Sequence, residues 1–256
     1  VPALETAGGD WACLANNHLL DYEEIALVDT IESLDSAGID HAGAGANAGA
    51  AFAPTVVSIG GVEVGLFALT DNTPEYAAGP DSPGVARVAM DLGRAERDRV
   101  GEVLDRLEAM GPDLVVASLH WGPNVVAYPA ERYRRFGRWL VDRGVDVVHG
   151  HSAHVFQGVE RYDDGLICYD CGDFVDDYAV AEDLRNDRSF LFELRVSDGG
   201  DPEELRLHPV EIDRATVDEA PLAVAAWCRE TMRERSVPFG TAGGFERQGT
   251  GLQLTL

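Results

Sequence analysis

The hydrophobic positions along the first half of the chain switch between the periods of strands and helices. The apolar run WACLA (11–15) predicts a short strand that ends in polar residues. Apolar residues at helical spacing predict a helix over 22–37, which Gly38 ends. The β-rich stretch 55–69 is broken by a Gly-Gly pair, which predicts a hairpin.

The middle of the chain repeats a helix–strand order. A helix over about 91–110 leads into a strand at 113–120, and a helix over 129–144 leads into a strand at 146–150. This alternation predicts an α/β core with parallel strands.

The last third has a different pattern. Beyond residue 155 come four β-rich runs, a short helix near 221–233 and a strand at 251–255. Consecutive runs predict an antiparallel-rich C-terminal third. Because no linker and no repeat divides the sequence, we expect one domain over 1–256.

Composition narrows the classes of partner. The 256 residues carry a formal charge of −25, and all twenty basic residues are arginine. This charge argues against binding to nucleic acid or anionic lipid. The absence of lysine favours a halophilic cytoplasm, with a GC-rich genome as the alternative explanation. The chain begins at Val1, so an upstream segment carrying a signal or anchor would instead place it at a membrane or cell surface.

Four cysteines are too few for a disulfide scaffold of this length. Cys168 and Cys171 form a lone CxxC, which we expect to be a pair of reduced thiols rather than a zinc knuckle. No apolar run is long enough to span a bilayer.

Candidate chemistry is concentrated in three polar clusters at predicted strand ends. They are LANNHLLDY (14–22), SLHWGPN (118–124) and VHGHSAH (148–154), and they hold five of the seven histidines. Loops at the carboxyl ends of parallel strands are where α/β folds place their sites. Neutral imidazole is a common ligand of zinc, manganese and iron, so the clusters predict a metal or catalytic site.

Other residues near these clusters have two interpretations each. Asp21 is either a helix N-cap or a carboxylate supporting a ligand. Trp121 either packs or stacks on a substrate, and Asn124 either closes a turn or binds a substrate. Asp173 and Asp176 are candidates to accept histidine N–H groups, with a solvated acidic loop as the alternative.

The three clusters, continued as VHGHSAHVFQGVERYDDGLICYDCGDFVDDY and followed by PFGT near the C-terminus, resemble the CapA family. That family is named for poly-γ-glutamate capsule synthesis, and its fold is similar to that of calcineurin-like metallophosphoesterases. The resemblance therefore implies a layered α/β sandwich. Family members carry GD and N-x-E segments upstream of ANNH, so we expect this chain to lack an N-terminal strand–helix portion and at least two carboxylate ligands.

The resemblance also implies roles for individual residues. Asn17, His120 and His149 are the candidate catalytic groups, with His149 or His151 as the proton donor to a leaving group. Asn124 and Trp121 are the candidate substrate contacts. The implied metal ligands are Asn17, His18, His120, His151 and His154, with His149 as an alternate.

The implied function is metal-dependent hydrolysis, with a phosphoester as the leading substrate. One or two divalent ions (Mn, Zn or Fe) would serve a small or polymeric anionic substrate in capsule-type polymer metabolism. One alternative is a non-catalytic polyanion-binding or assembly protein with the same fold. Another is hydrolysis of an amide in such a polymer.

Overall fold

The computed structural model describes residues 1–256, and the chain divides into two compact units, Val1–Trp121 and Gly122–Leu256. The expectation of one domain stays a prediction. The predicted α/β class is confirmed, because each unit combines helices with parallel and antiparallel strand pairs. None of the helices has both the length and the apolar character of a membrane span.

Six α-helices are present. Their bounds are α1 Pro2–Ala7, α2 Glu23–Ala37, α3 Ala48–Ala51, α4 Arg94–Met110, α5 Glu131–Val141 and α6 Leu222–Ser236. Seven strands lie in the first unit: β1 Trp11–Cys13, β2 Asp40–Ala42, β3 Ala44–Gly45, β4 Thr55–Ile59, β5 Val62–Thr70, β6 Gly84–Val85 and β7 Leu114–His120. Eight lie in the second: β8 Val147–His151, β9 Val159–Tyr162, β10 Gly165–Cys168, β11 Arg188–Val196, β12 Pro202–Asp213, β13 Thr216–Glu219, β14 Phe245–Gln248 and β15 Gly251–Thr255.

The sheet of the first unit is organised around β5. Strand β4 pairs with it in antiparallel orientation, and the connecting Gly60 and Gly61 have φ angles of 62° and 93°. The predicted hairpin is therefore confirmed, and glycine is favoured at both positions. Strand β7 pairs with β5 in parallel, and the register places Thr70 opposite His120. The carboxyl ends of β5 and β7 therefore lie side by side.

Helix α2 covers the core of the first unit. Leu27 and Leu34, seven residues apart, are 0% and 4% exposed and pack with Leu14 and Leu19. Each such buried side chain contributes roughly 1.5–3 kcal/mol. The helix ends where Gly38 adopts a φ of 69°, as its position in the sequence predicts.

The second unit contains two groups of strands. Strand β10 pairs in parallel with β8 and antiparallel with β9, and the register places Cys168 opposite His149. The strands after residue 188 form an antiparallel sheet in the order β11-β12-β15-β14, with β13 paired to β12. The prediction of an antiparallel-rich C-terminal third is therefore confirmed.

A buried ionic network connects α5 to β9 and β10. The Glu160 carboxylate is 3% exposed and accepts hydrogen bonds from Arg138 Nε at 3.1 Å and Arg138 Nη2 at 2.5 Å. Its other oxygen accepts the hydroxyl of the fully buried Tyr169 at 2.5 Å. Burial, followed by the bond to Glu160, raises the Tyr169 pKa far above its usual range. The network therefore holds a charged carboxylate inside the unit by satisfying both of its oxygens.

Two glycines provide an opposed pair of tests. A Cβ on Gly158 would lie 2.1 Å from the Arg235 carbonyl oxygen, so Gly158→Ala should lower the free energy of unfolding by about 2 kcal/mol. Gly101 lies inside α4 with no atom within 4 Å of an added Cβ, so Gly101→Ala should raise it by about 0.5–1 kcal/mol. Denaturant unfolding of both variants is the measurement. Equal effects would contradict the close packing at Gly158.

Candidate functional site

His120 ends β7 and is held by the end of the neighbouring strand. Its Nδ1 lies 3.0 Å from Thr70 Oγ1 and 3.2 Å from Asn72 Nδ2, and the residue is 7% exposed. Thr70 Oγ1 also accepts the backbone N–H of Asn72, which leaves its own hydrogen available to donate. Because an amide nitrogen is a donor, Nδ1 acts as the acceptor in the contact with Asn72.

The NNH segment lies between β1 and α2. His18 is exposed, its Nδ1 lies 2.8 Å from Asp21 Oδ2, and its backbone N–H donates to Asn16 Oδ1. The N-cap interpretation of Asp21 is wrong, because Tyr22 occupies that position and no side chain caps α2. Asp21 instead orients the His18 ring, which directs Nε2 away from the carboxylate.

Asn17 is half-buried beside His18. Trp121 is 3% exposed, which favours the packing interpretation, while Asn124 is exposed in the loop that follows. Substrate contacts by Trp121 and Asn124 stay predictions.

The loop after β8 is strained where it presents His154. Ser152 and His154 have φ angles of 127° and 59°, in the region that favours glycine. Val125, with a φ of 56°, donates its backbone N–H to the Ala153 carbonyl at 2.8 Å. Strained backbone persists only where its surroundings enforce it, and it is concentrated at functional sites.

Asp170 is the residue that holds this loop in place. Its carboxylate is 2% exposed and accepts the backbone N–H groups of Ala153 at 2.7 Å and Gly172 at 2.8 Å. Desolvation raises the Asp170 pKa to about 7, while the two backbone bonds act in the opposite direction. One side chain thus fixes both the loop after β8 and the loop after β10.

His154 is oriented by a carboxylate from the second of these loops. Its Nδ1 lies 2.8 Å from Asp173 Oδ1, which raises the His154 pKa and leaves Nε2 directed elsewhere. The Tyr178 ring packs edge-on against the imidazole with 4.6 Å between ring centroids. A histidine held at one nitrogen by a carboxylate is the arrangement found at general bases and metal ligands.

Asp173 and Asp176 form an acidic pair beside this histidine. Desolvation and the neighbouring Asp173 carboxylate raise the Asp176 pKa to about 6. The Oδ2 atoms of both residues are buried and have no hydrogen-bond partner. A shared proton or a cation would compensate these two acceptors.

His149 and His151 lie on one face of β8, as their spacing predicts, with 5.3 Å between ring centroids. The His149 ring keeps some accessible surface but is surrounded by protein atoms, and this desolvation lowers its pKa to about 4. His149 is therefore neutral at physiological pH, which is the state a metal ligand or a general base requires.

The types of side chain present are suitable metal ligands, because zinc, manganese and iron bind neutral imidazoles and carboxylate oxygens that have no other partner. No group of three or more histidine, cysteine, aspartate or glutamate side chains is arranged to hold an ion. Metal binding therefore stays a prediction, as does the convergence of the histidines of the two units on one cleft.

The contacts bring together some predicted residues and add others. His154 meets Asp173, His149 meets His151, and His18 meets Asp21. The residues that sequence reasoning missed are Thr70, Asn72, Asp170 and Tyr178. The polar run TDN at the end of β5 was a signal of the same kind as the three clusters that were recognised. All four cysteines are free thiols, as expected.

Comparisons with known proteins agree on a family. Residues 1–178 match the family described as "Bacterial capsule synthesis protein PGA_cap". The chain is 36% identical over 254 residues to a "Probable polyglutamine synthesis accessory protein" of Mycobacterium tuberculosis, covering 94% of this chain and 65% of that protein. It is 31% identical over 206 residues to the "Capsule biosynthesis protein CapA" of Bacillus anthracis, covering 78% of this chain and 47% of that protein. The chain thus spans between about half and two thirds of the length of these relatives.

A solved structure has a related fold. The crystal structure of a hypothetical protein from Thermus thermophilus superposes with a TM-score of 0.51 at 15% identity, covering 86% of this chain and 80% of that one. At this identity the likeness concerns the fold alone.

Proposed function

This chain belongs to the PGA_cap family of bacterial capsule synthesis proteins, and we propose that it is a metal-dependent hydrolase acting on a phosphoester in capsule-type polymer metabolism. The observation that carries the proposal is the strained loop that presents His154 to Asp173, in the unit that also contains the neutral His149. The second unit thus combines a strained loop with two imidazoles, one oriented by a carboxylate and one desolvated. This combination favours a catalytic role for the unit over a purely structural one.

The residues have separable roles in this proposal. Asp173 holds the His154 ring at Nδ1, so Nε2 is the atom that takes or gives a proton or binds an ion. Asp170 keeps the His154 loop and the Asp173 loop in register through two backbone bonds. His149 is uncharged at neutral pH and so can bind an ion without first losing a proton.

The candidate ligands in this unit are His149, His151 and His154, and because the structure does not arrange three such side chains to hold an ion, these rings would have to draw closer together to bind one. When bound, such an ion lowers the pKa of a coordinated water and polarises the scissile group.

The test combines metal stoichiometry with turnover. Purified protein should bind at most one zinc or manganese ion and cleave bis(p-nitrophenyl) phosphate above the buffer rate, and a chelator should remove both properties. At most one ion is expected, because no three of these side chains are arranged around one point and a site short of ligands binds divalent metals weakly. Calorimetry and nitrophenol release are the measurements.

A negative result would favour the other candidate. Protein that is folded but binds no metal and releases no nitrophenol would exclude the hydrolase, and the non-catalytic polyanion-binding function would take its place. Cleavage of a γ-linked glutamate oligomer without cleavage of the phosphodiester would instead favour the amide hydrolase.

A further inference from the structure

The second unit carries a cluster of three arginines in a chain with a formal charge of −25. Arg229 and Arg233 are four residues apart on α6, and Arg247 lies on β14. We propose that these three arginines, hereafter the arginine row, form a binding site for a polycarboxylate chain. The inference deepens the proposed function, because it names a place where an acidic polymer is held.

The backbone of one hairpin holds all three guanidinium groups. Arg229 Nη1 donates to the Thr250 carbonyl, Arg247 Nε to the Gly249 carbonyl at 3.0 Å, and Arg233 Nη2 to the Phe245 carbonyl at 3.1 Å. Gly249 and Thr250 are the turn between β14 and β15, so two of the cations lie on adjacent carbonyls. The backbone carbonyls thus position the three guanidinium groups without neutralising their positive charge.

No carboxylate contacts these three guanidinium groups directly. None of the three arginines forms an ion pair with a carboxylate, whereas Arg138, Arg185 and Arg206 each do. Desolvation, followed by the charges of Arg247 and Arg233, lowers the pKa of Arg229, and Glu230 offsets this in part. Three like charges held together are costly unless an anion joins them.

The geometry favours a polymer over a single ion. The carbonyls that hold Arg233 and Arg247 belong to Phe245, the first residue of β14, and to Gly249 in the turn, four residues along the chain and at most about 13 Å apart. A single phosphate requires donors that converge on one point, whereas a row of cations matches an anion with repeated charges. Each guanidinium keeps donors in a planar fork, which is the shape that binds a carboxylate through two hydrogen bonds.

If the arginines had a purely structural role, their replacement would have a different effect. If they served only to attach α6 to the hairpin, their replacement would lower stability and would not affect binding of any anion. Arg247 is exposed near the hairpin turn, so Arg247→Gln removes a charge with little loss of packing.

The experiment measures binding of a fluorescently labelled γ-linked glutamate oligomer by anisotropy at low salt. Wild-type protein should bind it, and molar salt should weaken the complex. Arg247→Gln should weaken binding about tenfold, and Arg229→Gln/Arg247→Gln further. Arg94→Gln is the matched control, because it removes the same charge from a side chain that is 91% exposed and should bind as wild type does.

Three results would overturn the inference. They are no binding at low salt, wild-type affinity in the double variant, and complete displacement of the oligomer by an equal concentration of inorganic phosphate, which would identify a phosphate site. Thermal unfolding of each variant confirms that the fold is retained.

A histidine variant separates this inference from the proposed function. His154→Ala should reduce phosphodiester turnover and leave oligomer binding unchanged. Arginine-dependent binding in a protein without turnover would sustain the arginine row and reject the hydrolase.

Discussion

His154→Ala should reduce phosphodiester turnover about a hundredfold, because the variant removes the imidazole that Asp173 orients and that the strained loop presents. Asp173→Asn should reduce it about tenfold, since the ring then loses its anionic partner but keeps its place. Zinc or manganese affinity should fall in the same order, which gives a readout independent of catalysis. Steady-state rates and calorimetric metal titration of both variants are the measurements.

His208→Ala is the control for this pair. His208 lies on β12, where its Nε2 contacts Glu193 Oε2 at 2.7 Å, and its side chain is 47% exposed. Its replacement removes one imidazole from the same unit and should leave turnover and metal affinity unchanged. If His208→Ala reduced both as much as His154→Ala, the activity would not depend on the loop after β8.

Arg138→Met should lower the free energy of unfolding by about 3 kcal/mol, at the lower end for a broken buried pair because Arg138 itself is 35% exposed. The variant leaves the Glu160 carboxylate, which is 3% exposed, with only the Tyr169 hydroxyl as a partner. The midpoint of thermal unfolding should fall by roughly 6–12 °C for a chain of this size. Calorimetry on the wild type and the variant is the measurement.

A double variant tests the cause of this loss. Arg138→Met/Glu160→Gln removes both charges and should recover part of the stability, because no uncompensated carboxylate remains. If the double variant were less stable than Arg138→Met by the full cost of Glu160→Gln alone, the two residues would not be coupled. The network would then be explained by packing of α5 rather than by charge.

Local patterns predicted most of the elements. The helix over 22–37, its end at Gly38 and the hairpin at the Gly-Gly pair all correspond to α2 and β4–β5 as observed. These features depend on side-chain period and on glycine conformations within a few residues, so one segment contains the information. The predicted strand at 11–15 corresponds to β1, whereas β2, β3 and β6 were not predicted, because strands of two or three residues have no measurable period.

Only part of the candidate site could be predicted from local sequence patterns. Its histidines were recognised because they cluster at strand ends, and His149 and His151 share a face as their spacing requires. Their partners are distant in sequence. Thr70 reaches His120 only because β5 and β7 pair in one particular register, and Asp173 reaches His154 across nineteen residues.

By itself, then, the sequence determined the α/β class, the family and the residues that carry chemistry, since these follow from period, composition and motif. Only the tertiary structure decided which nitrogen of His18, His120 and His154 is engaged, which carboxylates are desolvated, and where backbone strain is held. Protonation and orientation depend on atoms within a few ångströms in space, and strand pairing and loop packing bring those atoms together. The arginine row is a clear case, because its three side chains are united by the carbonyls of one hairpin rather than by any sequence motif.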